Sequence, residues 1–268
     1  MRLFVQLSYD GSPFCGWQSQ PNVPSVQDEM ERALSIALGE SVTVVGAGRT
    51  DTGVNARHFI AHFDVSAWPQ EESARLLRKI NAILPPSIVT EAFYRVADNA
   101  HARFDAVSRT YRYYIHLAKD PFAHHSCRCW YNLDVDAMNR AAAPLLGRHD
   151  FSSFEKTGGA NKTDICTVTE ASWKALDPTH LVFTITADRF LRNMVRATVG
   201  TLLEVGRGRR APEWVAEVLE ARNRSEAGSP SSGKRSSWKT SVTLILWKQF
   251  KIIRTYAFYI SPDYRRRC

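Results

Sequence analysis

Apolar and polar positions alternate through "RLFVQLSY" (residues 2 to 9), the pattern of a strand with one buried face. The period changes in "SVQDEMERALSIALGE", where Val26, Met30, Ala33, Leu34, Ala37 and Leu38 fall on one helical face. Ser25 with Asp28 forms a capping-box start to that helix, and Gly39 supplies its stop. "VTVVG" reads as a second strand and "HFIAHFDV" as a third, with Phe59, Ala61, Phe63 and Val65 on one face. "EESARLLRKINAIL" predicts a helix stopped by Pro85-Pro86, and "SIVTEAFYRV" a fourth strand. The order β-α-β-β-α-β is the split βαβ arrangement of ferredoxin-like domains.

The pattern then repeats in element order, though not in residue identity. "RTYRYYIH" predicts a strand, "DVDAMNRAAAPLL" a helix, and "ICTVTEASWKAL" with "HLVFTITA" a strand pair turning at Asp177-Pro178. "FLRNMVRATVGTLLEVG" predicts a long helix and "APEWVAEVLEA" a shorter one. The predicted class is α+β: two ferredoxin-like halves with mixed antiparallel sheets flanking a basic cleft, spanning residues 1–105 and 106–228. A fourth strand for the second half is owed after residue 221. "SEAGSPSSGKRSS" reads as a flexible linker, which leaves "SVTLILW" as the nearest segment of strand character.

Composition narrows the picture modestly. Hydrophobic residues at 44% and charged residues at 23% are ordinary globular values. No apolar run approaches the ~18 residues of a membrane span, and the first strand follows Met1 without a signal-peptide core. A cytoplasmic protein is expected. The five cysteines are odd in number and irregularly spaced, which fits reduced thiols better than a disulfide framework. The net charge of +8 invites a nucleic-acid partner, but its location matters. From Arg222 onward there are 11 Lys and Arg against 2 Asp and Glu, a balance of +9, which leaves −1 for everything before it. Clusters are therefore more telling than the total. "DRFLRNMVRATVGTLLEVGRGRR" holds six Arg against two acids, and its apolar positions predict a helix buried on one side with Arg on the other.

The chemistry centres on "GAGRTDTGVNARHF" (residues 46 to 59), between the second and third strands. Asp51 there admits more than one reading. As a turn residue it would bond nearby backbone, with Gly53 supplying a positive φ. As a nucleophile or base it would need a cation to stay ionised in a cleft, and Arg49 and Arg196 are the candidates. A phosphate loop is disfavoured, because the Walker and dinucleotide spacings are absent. "HHSCRC" (residues 124 to 129) brings His124, His125, Cys127 and Cys129 together, but not at the spacing of a zinc motif. Tyr111 belongs to an aromatic-rich strand, where packing is the ordinary role.

Several stretches together resemble the tRNA pseudouridine synthase A family. "GAGRTDTGVNA" is similar to its active-site motif, whose signature is Arg-Thr-Asp-x-Gly-Val. "YDGSPFCGWQSQP", "HARFDAVSRTYRYYI", "DPF" with Trp130, "HDFSSF", "FLRNMVRATVG" and "EVGRGR" match in order across residues 2 to 228. The resemblance implies that Asp51 is the catalytic carboxylate. It further implies that Arg49 helps displace and replace the flipped base, that Tyr111 stacks on the target uracil, and that Arg196 pairs with the carboxylate. The implied reaction isomerises uridines at positions 38 to 40, in the anticodon arm of tRNA, with no cofactor and no metal. The implied enzyme is a homodimer. Whether Asp51 attacks sugar or base, or removes a sugar proton, stays open. A non-catalytic RNA-binding protein of the same fold and a phosphate-handling or metal enzyme are the rival expectations.

The resemblance stops abruptly after Ala227-Gly228. Residues 229–268 are expected to form an atypical basic tail, through either a genuine extension or a shifted reading frame, and the abruptness favours the second.

Overall fold

The computed structural model describes residues 1–68, 73–156, 158, 163–228, 240–247 and 254–256. The chain divides into two units, residues 1–106 with 247–268 and residues 107–246. Both combine helices with β-sheet, so the protein is α+β.

The first unit runs β1 (Arg2–Tyr9), α1 (Val26–Leu38), β2 (Val45–Gly46), β3 (Asn55–Asp64), α2 (Ser73–Ile83) and β4 (Ile88–Arg95). β1 lies between β3 and β4, β2 pairs with β3, and every one of these pairings is antiparallel. The alternation read in "RLFVQLSY" is observed in part: Leu3, Val5, Leu7 and Tyr9 are buried on one face, but Phe4 on the other face is buried as well. The start of α1 follows from its cap. Ser25 Oγ accepts from the Asp28 amide at 3.1 Å and donates to the Asp28 carboxylate at 2.5 Å, satisfying an amide that the helix leaves without a partner. Gly39 ends it in the left-handed region at φ 77°, where a Cβ is unfavourable. Asn81 near the end of α2 ties that helix to β4. Its side-chain amide donates to Thr90 O at 2.9 Å, and its carbonyl accepts from Thr90 N at 2.7 Å.

His62 on β3 is buried, and its Nδ1 accepts from the Ala102 amide at 3.2 Å, so the neutral ring carries its proton on Nε2. Burial, reinforced by the Arg2 guanidinium, pushes its pKa down to about 4 from 6.5. The sign follows directly: a folded pKa below the unfolded one gives stability present above pH 6.5 and lost as pH falls toward 4. The loss expected is about 3 kcal/mol. Urea unfolding at pH 7 and pH 4.5 should show it, and His62→Gln should flatten the difference. An equal acid loss in both proteins would assign it elsewhere.

The second unit contains β5 (Ala106–His116), β6 (Cys127–Arg128), α3 (Val135–Ala142), β7 (Gly147–Asp150), β8 (Ile165–Asp177), β9 (His180–Ala187), α4 (Met194–Gly206), α5 (Trp214–Ala221) and β10 (Thr240–Trp247). The strand order is β10-β5-β9-β8-β7, and β6 runs parallel to the end of β5. Asn139 of α3 repeats the Asn81 device on Trp173 of β8, accepting at 2.7 Å and donating at 3.1 Å. The turn at Asp177-Pro178 closes when Asp177 Oδ1 accepts from the amides of Thr179 and His180. The core gathers Tyr113, Met138, Phe151, Phe154, Phe183 and Met194.

Two sequence expectations need correction here. The long helix predicted from Phe190 begins only at Met194, because Asn193 adopts a left-handed conformation at φ 66° that interrupts it. The helix is also not basic on one side. Ten of its residues are buried, Arg196 is its single arginine, and the other five arginines of the cluster flank its ends. β6 and β7 were not anticipated either.

Of the tail, residues 229–239, 248–253 and 257–268 lie outside the described residues, and with them most of the linker read from Ser225 to Ser237. "SVTLILW" lies within β10, beside β5. β11 (Arg254–Tyr256) pairs antiparallel with β4 of the first unit. None of the four described cysteines is in a disulfide among the described residues.

Candidate active site

The segment between β2 and β3 has too few apolar residues to hold itself in place, so its position depends on what grips it. The grip comes from the connection between β1 and α1. Trp17 N donates to Thr50 O at 3.1 Å, Gly53 N to Phe14 O at 3.4 Å, and Gly11 N to the buried Asn55 Oδ1 at 2.8 Å. Trp17 and Phe14 are themselves buried, with the Trp17 ring 4.4 Å from Phe59 and 6.1 Å from Tyr9. The connection is fixed in turn to the start of α1, where Val26 N and Gln27 N donate to Gly16 O and Trp17 O.

Glycine allows the two segments to approach. A Cβ on Gly11 would lie 2.1 Å from Val54 O, and one on Gly16, whose φ is already +102°, would lie 2.5 Å from Thr50 O. Real Cβ atoms do not tolerate such distances to backbone, so neither position admits a side chain without movement.

Within the gripped segment the side chains alternate. Thr50 is buried and shares a 2.9 Å hydrogen bond with the Tyr9 hydroxyl, while Arg49 and Asp51 on either side are exposed. The turn that follows is closed by main chain: Asp51 O accepts from Val54 N at 3.2 Å, and Gly53 takes φ 76°. Among the described residues the Asp51 carboxylate accepts no hydrogen bond and enters no ion pair. Asp51 is thus in a turn, but its carboxylate is not used to build that turn.

The other sequence-derived candidates belong to the second unit. Tyr111 is half-buried on β5 opposite Ile185, and its ring meets Phe190 edge-on with centroids 4.8 Å apart. Arg196 is half-buried in the first turn of α4. Arg49 and Asp51 are therefore brought together in one unit, and Tyr111 and Arg196 are placed in the other. Thr50 stands inside the Arg-Thr-Asp motif, whereas the supporting residues Gly11, Phe14, Gly16 and Trp17 were not identified as part of a site from sequence. Their signal was present as two large aromatics, Phe14 and Trp17, beside glycines in an otherwise polar loop. No group of three or more His, Cys, Asp and Glu is disposed to hold a metal among the described residues, and "HHSCRC" forms none.

Comparison with known proteins adds an independent finding. A family model described as tRNA pseudouridine synthase matches residues 141–238. The chain is 47% identical to tRNA pseudouridine synthase A of Porphyromonas gingivalis over 230 residues, covering 85% of this chain and 91% of that one. It is 46% identical over 235 residues to the protein of that name from Bacteroides thetaiotaomicron, covering 87% of each. With the Colwellia psychrerythraea protein of the same name the identity is 39% over 231 residues, covering 85% of this chain and 88% of that one.

Proposed function

Because the chain belongs to the tRNA pseudouridine synthase A family, an enzyme family of isomerases, we propose that it converts uridine to pseudouridine in the anticodon arm of tRNA, with Asp51 as the essential carboxylate. The observation that carries this reading is the exposed, uncommitted carboxylate on a segment gripped through its backbone. A nucleophile or base must be ionised, positioned and unengaged before substrate arrives; the gripped backbone positions residue 51, and its carboxylate is unengaged among the described residues.

The chemistry accounts for the simplicity of the site. The bond between uracil N1 and ribose C1′ breaks, a bond from C5 to C1′ forms, the C5 proton leaves to solvent and N1 acquires one. No electrons are exchanged with an outside partner, so a carboxylate and positioning groups suffice and no cofactor is required. The target must leave the base stack to be reached, which calls for an aromatic platform and a cation to replace it. Tyr111 and Arg49 take these roles in the proposal, and Arg196 is the cation that pairs with the carboxylate once substrate is bound. Arg suits such a site because it pairs with oxyanions and stacks on rings. Two ferredoxin-like halves, residues 1–105 and 106–228, a homodimeric state and a cytoplasmic location complete the reading. The antiparallel order β4-β1-β3-β2 of the first unit supports the fold assignment for that half.

The test is incubation with tRNA tritiated at uracil C5. Isomerisation releases the tritium, whereas a protein that only binds RNA leaves it in place. Tyr111→Ala should reduce turnover by roughly 5- to 150-fold, the equivalent of losing ~1–3 kcal/mol of base stacking, while Tyr111→Phe should keep tRNA affinity. Normal binding and turnover in the Ala variant would return Tyr111 to a packing role against Phe190.

A further inference from the structure

The arginines beyond the end of α4 are not dispersed in solvent. Arg207 stacks on Tyr131 with its guanidinium carbon 3.7 Å from the ring centroid, and Arg210 lies 4.9 Å from the ring of Trp214. On the neighbouring segment Arg128 stacks on Trp130 at 3.6 Å. The two segments, residues 128–131 and 207–214, are joined by the Arg207–Tyr131 contact and by Asp134 N donating to Gly206 O at 2.8 Å. Trp130 is 72% and Tyr131 51% exposed, well beyond what packing inside one unit would leave for such large rings.

Charge decides what this surface suits. Arg209 belongs to it as well, and among the described residues the one carboxylate engaged with its arginines is Glu204, which pairs with Arg207 at 3.1 Å and Arg209 at 3.4 Å. Four guanidinium groups against Glu204 and Glu213 leave +2. The Asp134 carboxylate is spent on the Ala137 amide as the cap of α3, and Glu213 precedes α5. A guanidinium over a ring face keeps its N–H donors in its own plane, and those that reach solvent can meet phosphate oxygens. A two-fold contact with a second copy would instead set like charges against each other.

We infer that the arginine–aromatic surface formed by Arg128, Trp130, Tyr131, Arg207, Arg210 and Trp214 binds the phosphate backbone of the tRNA substrate. It is separate from the Asp51 segment in the chain, and the inference rests on tRNA being the substrate.

The test uses the full chain and measures affinity for unmodified tRNA as a function of salt. The paired variant Arg128→Gln with Arg210→Gln should weaken binding at least tenfold at 0.15 M salt and reduce the slope of log affinity against log salt by about two, since each phosphate neutralised contributes ~0.9. The matching Lys pair, which keeps charge but not the planar stack, should recover the slope. An unchanged slope in the Gln pair overturns the proposal, as does an equal fall in Tm in both pairs with no change in slope, which would make the stacks structural. A changed oligomeric state on sedimentation, with the slope unaltered, would assign the surface to a second copy. Tritium release by the unsubstituted chain is measured alongside: its failure with tRNA binding intact removes the isomerase reading and leaves the surface standing.

Discussion

Asp51→Asn should abolish isomerisation while leaving tRNA affinity within a few fold. Asn has nearly the volume of Asp, and the turn at residues 51 to 54 is closed by the Asp51 carbonyl and Gly53, so the loop keeps its shape. What disappears is the negative charge on an atom that no neighbour among the described residues engages. Binding is spread over many phosphate contacts, each a small share of the total, whereas the covalent or proton-transfer step depends on one group. A positioned general acid or base contributes ~10²–10⁴-fold, and a merely auxiliary group less. Turnover above ~1% of wild type in the tritium-release assay would place Asp51 among such auxiliaries and end its assignment as the essential group.

Gly11→Ala should be nearly as damaging, although residue 11 is remote from Asp51 in sequence. Its new methyl would meet the Val54 carbonyl oxygen at 2.1 Å, its carbon at 2.6 Å and its nitrogen at 2.9 Å, all backbone atoms with no rotamer to yield. Overpacking of this kind costs about 1–3 kcal/mol of stability. The strain can be relieved by displacing Val54, which carries the turn holding Asp51, and an ångström of misplacement is worth roughly 10²-fold in rate. Both Tm and turnover should fall. Gly48→Ala is the control for stability, since nothing among the described residues lies within 4 Å of a Cβ there, and its Tm should hold. A Gly11→Ala protein with wild-type Tm and turnover would show that the two segments are not held as closely as described.

Periodicity revealed most elements of the two units, because the strands and helices that bury one face advertise it in their spacing. α1 is the clearest example, with Ser25 and Gly39 marking its ends. β7 was hidden for the opposite reason: "GRHD" has no apolar alternation, and it is a strand because β8 offers it a pairing edge. The onset of α4 escaped because nothing in "RFLRNMV" announces that Asn193 takes positive φ. Asp51 and Arg49 were legible as a motif, but the reason they are exposed was not. That reason lies in Thr50 reaching Tyr9 and in Phe14 and Trp17 holding the segment, contacts between residues tens of positions apart. The stacked arginines were visible as a charge cluster, yet their aromatic partners come from another stretch of chain.

The grip on the Asp51 segment also bears on which partner deforms in the encounter with RNA. Releasing that segment would mean breaking the hydrogen bonds of Trp17 and Gly53 and withdrawing Trp17 from Phe59, and the same connection anchors the first amides of α1. Such an opening is cooperative, so the amides of Trp17, Val26 and Gly53 should exchange with solvent deuterium at a common rate. A wall that does not yield leaves the nucleic acid to supply the conformational change, and unstacking a nucleotide costs a few kcal/mol that depends on its neighbours. Under the proposed chemistry, choice among uridines then comes partly from the mechanics of the RNA: a stiff protein favours the sites where the nucleic acid itself is easiest to distort.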